Sequence, residues 1–123
     1  MPLIMDSPGN INVVRSYDGG ALHIGENTYQ RTCVIAPDAL LPDWPPDSLD
    51  DIAPEHLAAL FALEPQVVLL GCAGAPRFTP AALRRLFAAR NVGLETMELG
   101  AACRTYNVLA QEGRRVVAVL FPG

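Results

Sequence analysis

The residues most able to do chemistry in this chain crowd into two stretches, GCAGAPRF (71–78) and ETMELGAACRTYN (95–107). Each reads as a strand end, a turn rich in small residues and the start of a helix. In open α/β sheets ligands sit beyond the carboxyl ends of the strands, where helix N-termini present free N–H groups. Two such turns would be neighbours and would gather Gly71, Cys72, Arg77, Glu98 and Cys103. A crevice between the 71–77 loop and the 98–104 turn could hold a small anion or a peptide carboxylate. Cys103 falls in a first helical turn, where the positive dipole end lowers a thiol pKa, although a small buried cysteine is the commoner arrangement. The spacing is neither GxGxxG nor a GK[ST] loop, so no nucleotide fingerprint is present. Glycines at these turns also serve tight strand-to-helix geometry without any ligand.

The same residues support a different class of function, contact with another protein. On a helix beginning near Gly100, Arg104, Asn107 and Gln111 share one face, while Ala102, Thr105, Tyr106 and Leu109 lie opposite. Arg104 and Asn107 then point outward, and Tyr106 turns its ring inward and needs a partner for its hydroxyl. Trp44, the only tryptophan, lies in an acidic proline-rich segment. Trp and Arg dominate binding hot spots, which makes Trp44, Arg104 and Asn107 the expected contact surface. The plainer alternatives are a solvated helix face and a Trp44 folded over the sheet as a lid.

Other chemistry finds no support. His23 and His56 have no ligand-type neighbours at metal-binding spacing, so no metal site is expected. Ser7, Ser16 and Ser48 lack a GxSxG context. Glu95 and Glu98, three apart on an extended segment, would point to opposite faces and cannot act as an acid/base pair. No catalytic motif and no cofactor signature emerges.

The elements that must position these residues follow from length and pattern. The chain has 123 residues, half of them hydrophobic, enough for one domain with a buried core. Its charge of −4 sets nine arginines and no lysine against thirteen acids. An acidic chain without a basic block has no electrostatic footprint for nucleic acid. The first ten residues lack a secretory signal, and the apolar runs fall far short of the roughly 20 residues a transmembrane helix needs. Three cysteines without CxxC spacing fit reduced thiols, so a cytoplasmic protein is expected.

The first third is β-rich. Strands are expected over 10–18 and 20–29, joined at Asp18-Gly19-Gly20, with a third over 31–37. The segment DALLPDWPPDSLDD carries Pro42, Pro45 and Pro46, which predict no regular element. Helix and strand alternate thereafter. PEHLAALFALE is a helix opening on Pro54, QVVLLGC is a strand covered on both faces, and TPAALRRLFAARN is a helix with Thr79 as N-cap and Pro80 at the first helical position. GLETMEL is a strand, GAACRTYNVLAQEG a helix, and RRVVAVLFP the last strand. This order predicts a single α/β domain over 1–123, three-layered, with a central mixed sheet.

The order of motifs resembles a small α/β domain family of unknown function that includes the mitochondrial respiratory complex I assembly factor 3. The resemblance covers nearly the whole chain. It rests on SYDGGALHIGENTYQRTCVIAPD, LLPDW, GCAGAPRF and, most specifically, GLETMELGAACRTYNVLAQEGRRVVAVLFP. It implies a three-layer fold with helices on both faces of the mixed sheet and an N-terminal β-hairpin joined to it. It further implies an accessory or assembly protein working through an unidentified protein partner, with no established catalysis, in the biogenesis of a membrane-associated respiratory complex. Where the family usually shows Gly-Thr-Gly after the central strand, this chain has Gly71-Cys72-Ala73, and an alanine there restricts positive φ and close backbone approach.

Overall fold

A computed structural model of the protein describes residues 11–74 and 77–123. The ten N-terminal residues, expected to carry no secretory signal and including Ser7, lie outside that range, as do Ala75 and Pro76 of the 71–77 loop.

Two apolar runs make the centre of the molecule. β6 (Val67–Cys72) and β8 (Val116–Phe121) lie side by side and parallel, with Val68 opposite Val117 and Cys72 opposite Phe121. Neither strand alternates apolar with polar residues, because both of its faces are covered. β7 (Gly93–Glu98) pairs parallel to the other side of β6, placing Glu98 opposite Cys72. β4 (Cys33–Ala36) runs antiparallel to β8, and β5 (Ala39–Leu41) antiparallel to β4. The order β5-β4-β8-β6-β7 is the expected mixed sheet.

Alternation along these strands divides the core into two layers. Cys33, Ile35, Leu69, Val116, Ala118 and Leu120 face α3 (Leu99–Gln111), which buries Ala102, Cys103, Tyr106 and Ala110 against them. Val34, Val68, Leu70, Val117 and Val119 face the opposite layer, made by α1 (Leu57–Phe61), α2 (Ala81–Ala89) and the proline-rich segment. In α2, Leu83 and Phe87 point inward at i, i+4 spacing. Helices therefore cover both faces, as expected.

The N-terminal hairpin is larger than expected and more independent. β1 (Val14–Asp18) and β2 (Ala21–Ile24) join through Gly19 and Gly20, both at positive φ (54° and 80°), as a tight two-residue hairpin turn requires. The strand predicted over 20–29 breaks at Gly25-Glu26, and β3 (Asn27–Tyr29) folds back on β2. The three strands form their own antiparallel sheet, packed through Val14, Leu22 and Ile24 onto the α3 layer.

Three local expectations give way to tertiary context. Ala39–Leu41 is a strand although prolines follow, because it ends before Pro42 and pairs on an edge. Pro54–His56 is a 3₁₀ turn that precedes a helix of only five residues. Thr79 does not cap α2. Its hydroxyl lies 2.5 Å from that of Thr96 on β7, and Pro80 occupies the cap position with its carbonyl accepting from Arg84 N–H.

Candidate functional site

The carboxyl ends of β6 and β8 carry two separate clefts rather than one crevice, with Ala73 and Pro122 lining both. The larger, of about 450 Å³, opens between the strand ends, Gln30–Thr32 and Asp47–Leu49, and receives Cys72 and Arg77. The smaller, about 230 Å³, lies between Ala73-Gly74, Glu98-Leu99 and the hairpin tip at Asp18–Gly20. The 71–77 loop and the Glu98 turn are thus neighbours, as parallel pairing of β6 and β7 dictates. The hairpin tip stands beside them, and Arg77 belongs to the other cleft.

Electrostatics within these clefts is largely balanced internally. Glu98 is the N-cap of α3, and its carboxylate accepts from Gly100 N–H at 2.8 Å and Ala101 N–H at 3.1 Å. Those two backbone bonds, with a smaller contribution from Arg104, hold its pKa below the ordinary 4.5. The helix end proposed to bind an external anion already holds an internal one. Arg77 meets Asp50 at 2.6 Å.

The glycines and cysteines serve packing. A Cβ on Gly71 would come within 2.5 Å of the Ala102 Cβ and 3.2 Å of Leu120, so its bare backbone lets α3 lie close on β6. A Cβ on Gly100 would overlap the Tyr17 hydroxyl. The left-handed conformation in the loop falls at Gly74 (φ 85°), one residue after Ala73, so the alanine does not occupy a position of positive φ. Cys103 lies inward at 3% exposure, away from either cleft. Desolvation, reinforced by Glu98, pushes its thiol up to about 11, opposite to the shift expected from the helix end alone. Cys33 is raised to about 11 by burial and then Asp43, and Cys72 is raised mainly by burial. Among the described residues no group of three or more His, Cys, Asp or Glu is placed to hold a metal ion, and no helix is long and apolar enough to cross a membrane.

The expected contact surface also divides. Trp44 is only 5% exposed and forms part of the core with Leu49, Leu57 and Leu60, its ring edge-on to His56 at 5.8 Å. It is the lid of the plainer reading, and its backbone N–H donates to the Thr32 carbonyl at 3.0 Å. Asn107 is turned toward β1. Its Oδ1 accepts from Val14 N–H and its Nδ2 donates to the Val14 carbonyl, both at 2.9 Å. Beside it the Tyr106 hydroxyl donates to the Asn12 carbonyl at 2.8 Å, while the Asn12 side chain donates to Ala36 and Ala39. Tyr106-Asn107 therefore clamps the segment entering β1 onto α3. Arg104 is exposed, and one turn further on Val108 is 53% exposed.

Arg115 is a residue the sequence reading passed over. Its guanidinium donates to the Leu63 carbonyl and to Asp38, and its N–H donates to Gln66. It locks the start of β8 to the ends of α1 and β4. An arginine at the mouth of an apolar strand, next to a turn with free carbonyls, is the signal that could have marked it.

Comparison with known proteins fits this architecture. The family model described as "Protein of unknown function (DUF498/DUF598)" matches residues 14–121. The chain belongs to that family. It is 32% identical over 112 residues to the NADH dehydrogenase [ubiquinone] 1 alpha subcomplex assembly factor 3 of Danio rerio, covering 89% of this chain and 64% of the relative. The chain thus spans less than two-thirds of that relative's length. An uncharacterized protein of Rhodobacter capsulatus is 38% identical over 111 residues, covering 89% of this chain and 83% of its own length. An NMR structure from Xanthomonas campestris superposes over 100% of this chain and 93% of its own, with TM-score 0.85 and 38% identity.

Proposed function

We propose that the protein is an accessory factor that assists assembly of a membrane-associated respiratory complex through protein contacts. The observation that carries this reading is the similarity to a complex I assembly factor over 89% of the chain. The geometry supports it. The motif-dense turn holds its own carboxylate at the helix end, its cysteines are buried with raised pKa values, and Tyr106 and Asn107 are engaged in the fold. On α3, Arg104 and Val108, one turn apart, both stay exposed, a pairing of charge and apolar area suited to a partner.

The test is affinity purification of the tagged protein from its own cells with mass spectrometry, beside Arg104→Ala, together with native gels of respiratory complexes from a deletion strain. Recovery of a respiratory subunit or assembly protein, weakened by Arg104→Ala, with accumulation of incomplete complex in the deletion, is the expected result. Normal complex and no such partner would overturn the assembly role. The 450 Å³ cleft favours one further reading, binding of a small anion beside Arg77. It predicts amide shifts at Cys72 and Ala73 on titration with inorganic phosphate; silence there, and likewise with small carboxylates, would remove it.

A further inference from the structure

The arginines of this protein are of two kinds. Arg31, Arg77 and Arg115 are paired with Asp43, Asp50 and Asp38 of the acidic proline-rich region. Arg84 and Arg85 of α2 have no carboxylate partner among the described residues. The chain between Glu64 and Glu95 contains four arginines, Arg77, Arg84, Arg85 and Arg90, and no acid, so α2 supplies no carboxylate of its own to its arginines. Arg90, the C-cap of α2, lies over the Phe61 ring, 4.3 Å from its centroid. A chain of net charge −4 thus carries a local basic face.

Exposed apolar groups lie on and just before the same helix. Phe78, two residues before the Pro80 cap, is 93% exposed, and Leu86 is 40% exposed. With Leu83 and Phe87 turned to the core, helical geometry sets Arg85 at the centre of the outer surface. Ala82 and Ala89 lie one turn to either side of it, with Arg84 at one flank and Leu86 at the other. At 93% exposure the Phe78 ring contributes almost nothing to the core. Phe and Arg are among the residue types enriched in interfaces, and a guanidinium matches a carboxylate in two-point geometry.

We infer that the outer face of α2, with Phe78 and the Arg84-Arg85 pair, docks a partner segment that bears both carboxylates and apolar side chains. This deepens the assembly reading and rests on it. An anionic bilayer fits the same residues less well. The whole molecule is acidic, and its repulsion from a charged plane acts over a Debye length of about 8 Å, whereas a partner segment needs only local complementarity. The face is also short. Nine helical residues span about 13 Å, the length of two to three turns of an incoming helix.

A photo-crosslinking amino acid placed in the full chain at position 82, and in parallel at position 108 on α3, tests this in the native cells. The cross-linked peptide is sequenced. The expected result is one discrete protein segment at position 82, containing Asp or Glu interspersed with apolar residues, its yield reduced at least tenfold by Arg84→Glu with Arg85→Glu and reduced by Phe78→Ser. Since all three side chains are exposed, thermal melts of the variants should match the parent. Cross-links to lipid, to a basic or uncharged segment, or yields indifferent to charge reversal would overturn the inference. Cross-links from position 108 alone would overturn it while leaving the assembly reading intact. Absence of cross-links from both positions would count against both.

Discussion

Replacing Asn107 by alanine should loosen the attachment of the entire N-terminal sheet. In the structure Asn107 pairs with the backbone of Val14 as a neighbouring strand would, accepting from its N–H and donating to its carbonyl, both at 2.9 Å. Val14 is 5% exposed and begins β1, so both of its backbone groups lose a partner in a region poor in water. A typical intramolecular hydrogen bond contributes about 0.5–1.5 kcal/mol net, and a buried group left unpaired costs toward the upper end. Two such bonds place the loss at about 1–3 kcal/mol. For a domain of this size that corresponds to a fall in Tm of roughly 4–12 °C. Urea unfolding gives the global figure, and amide hydrogen exchange locates it. Val14 should exchange faster together with its neighbours in β1, while β6 and β8 follow only the global change. Asn107→Asp should be at least as damaging at neutral pH, because a carboxylate would face the Val14 carbonyl, and should recover on acidification when it can donate again. Tyr106→Phe removes a bond to Asn12 in the same segment, so the double variant should cost less than the two separate losses together. A loss below about 0.5 kcal/mol for Asn107→Ala, with Val14 exchange unchanged, would show that packing of Leu22 and Ile24 holds this sheet without the clamp.

Three other outcomes follow from the geometry. The Glu98 carboxylate has a depressed pKa in the folded chain, so its stabilisation is present above the ordinary value of 4.5 and disappears as pH falls through the lower folded value. Urea midpoints measured from pH 3 to 7 should show this acid-side loss and Glu98→Gln should flatten it; parallel profiles would contradict the cap. Cys33 and Cys103, raised from 9.0 to about 11, add stability that is complete below pH 9 and declines as pH rises toward 11. Iodoacetamide should therefore modify both more slowly in the folded protein at pH 8 than in urea, and rates equal to the unfolded control would refute their burial. Gly71→Ala places a methyl group 2.5 Å from the Ala102 Cβ and should destabilise by about 1–3 kcal/mol through displacement of α3, readable by urea unfolding; a neutral result would mean that α3 sits farther from β6.

Much of the fold is legible because its strongest signals are local and periodic. Unbroken apolar runs at β6 and β8 announce strands covered on both faces, and the apolar stripe Leu83, Leu86 and Phe87 orients α2, although Leu86 ends at its edge, 40% exposed. Paired glycines after Asp18 fix a hairpin because few other residues accept that backbone. These patterns, with the order of elements, are enough to imply a three-layer mixed sheet. Partnership across the chain is a different matter. Whether Trp44 is a contact or a lid depends on a hydrophobic layer assembled from Leu49, Leu57, Leu60 and the sheet, residues whose proximity no local pattern encodes. Asn107 looks like a surface residue on a helical wheel until β1 arrives beside it, 93 positions away in sequence. Glu98 and Arg77 read alike as ligand-site candidates, yet folding makes one a helix cap and joins the other to Asp50. A polar side chain is available to a ligand only if the fold has not already satisfied it. The sequence by itself determined which segments become strands and helices and which faces are apolar, since those follow from each residue's own conformational and solvation preferences. Tertiary structure alone decided which polar groups were left free, because hydrogen bonds and ion pairs form between segments that only packing brings together.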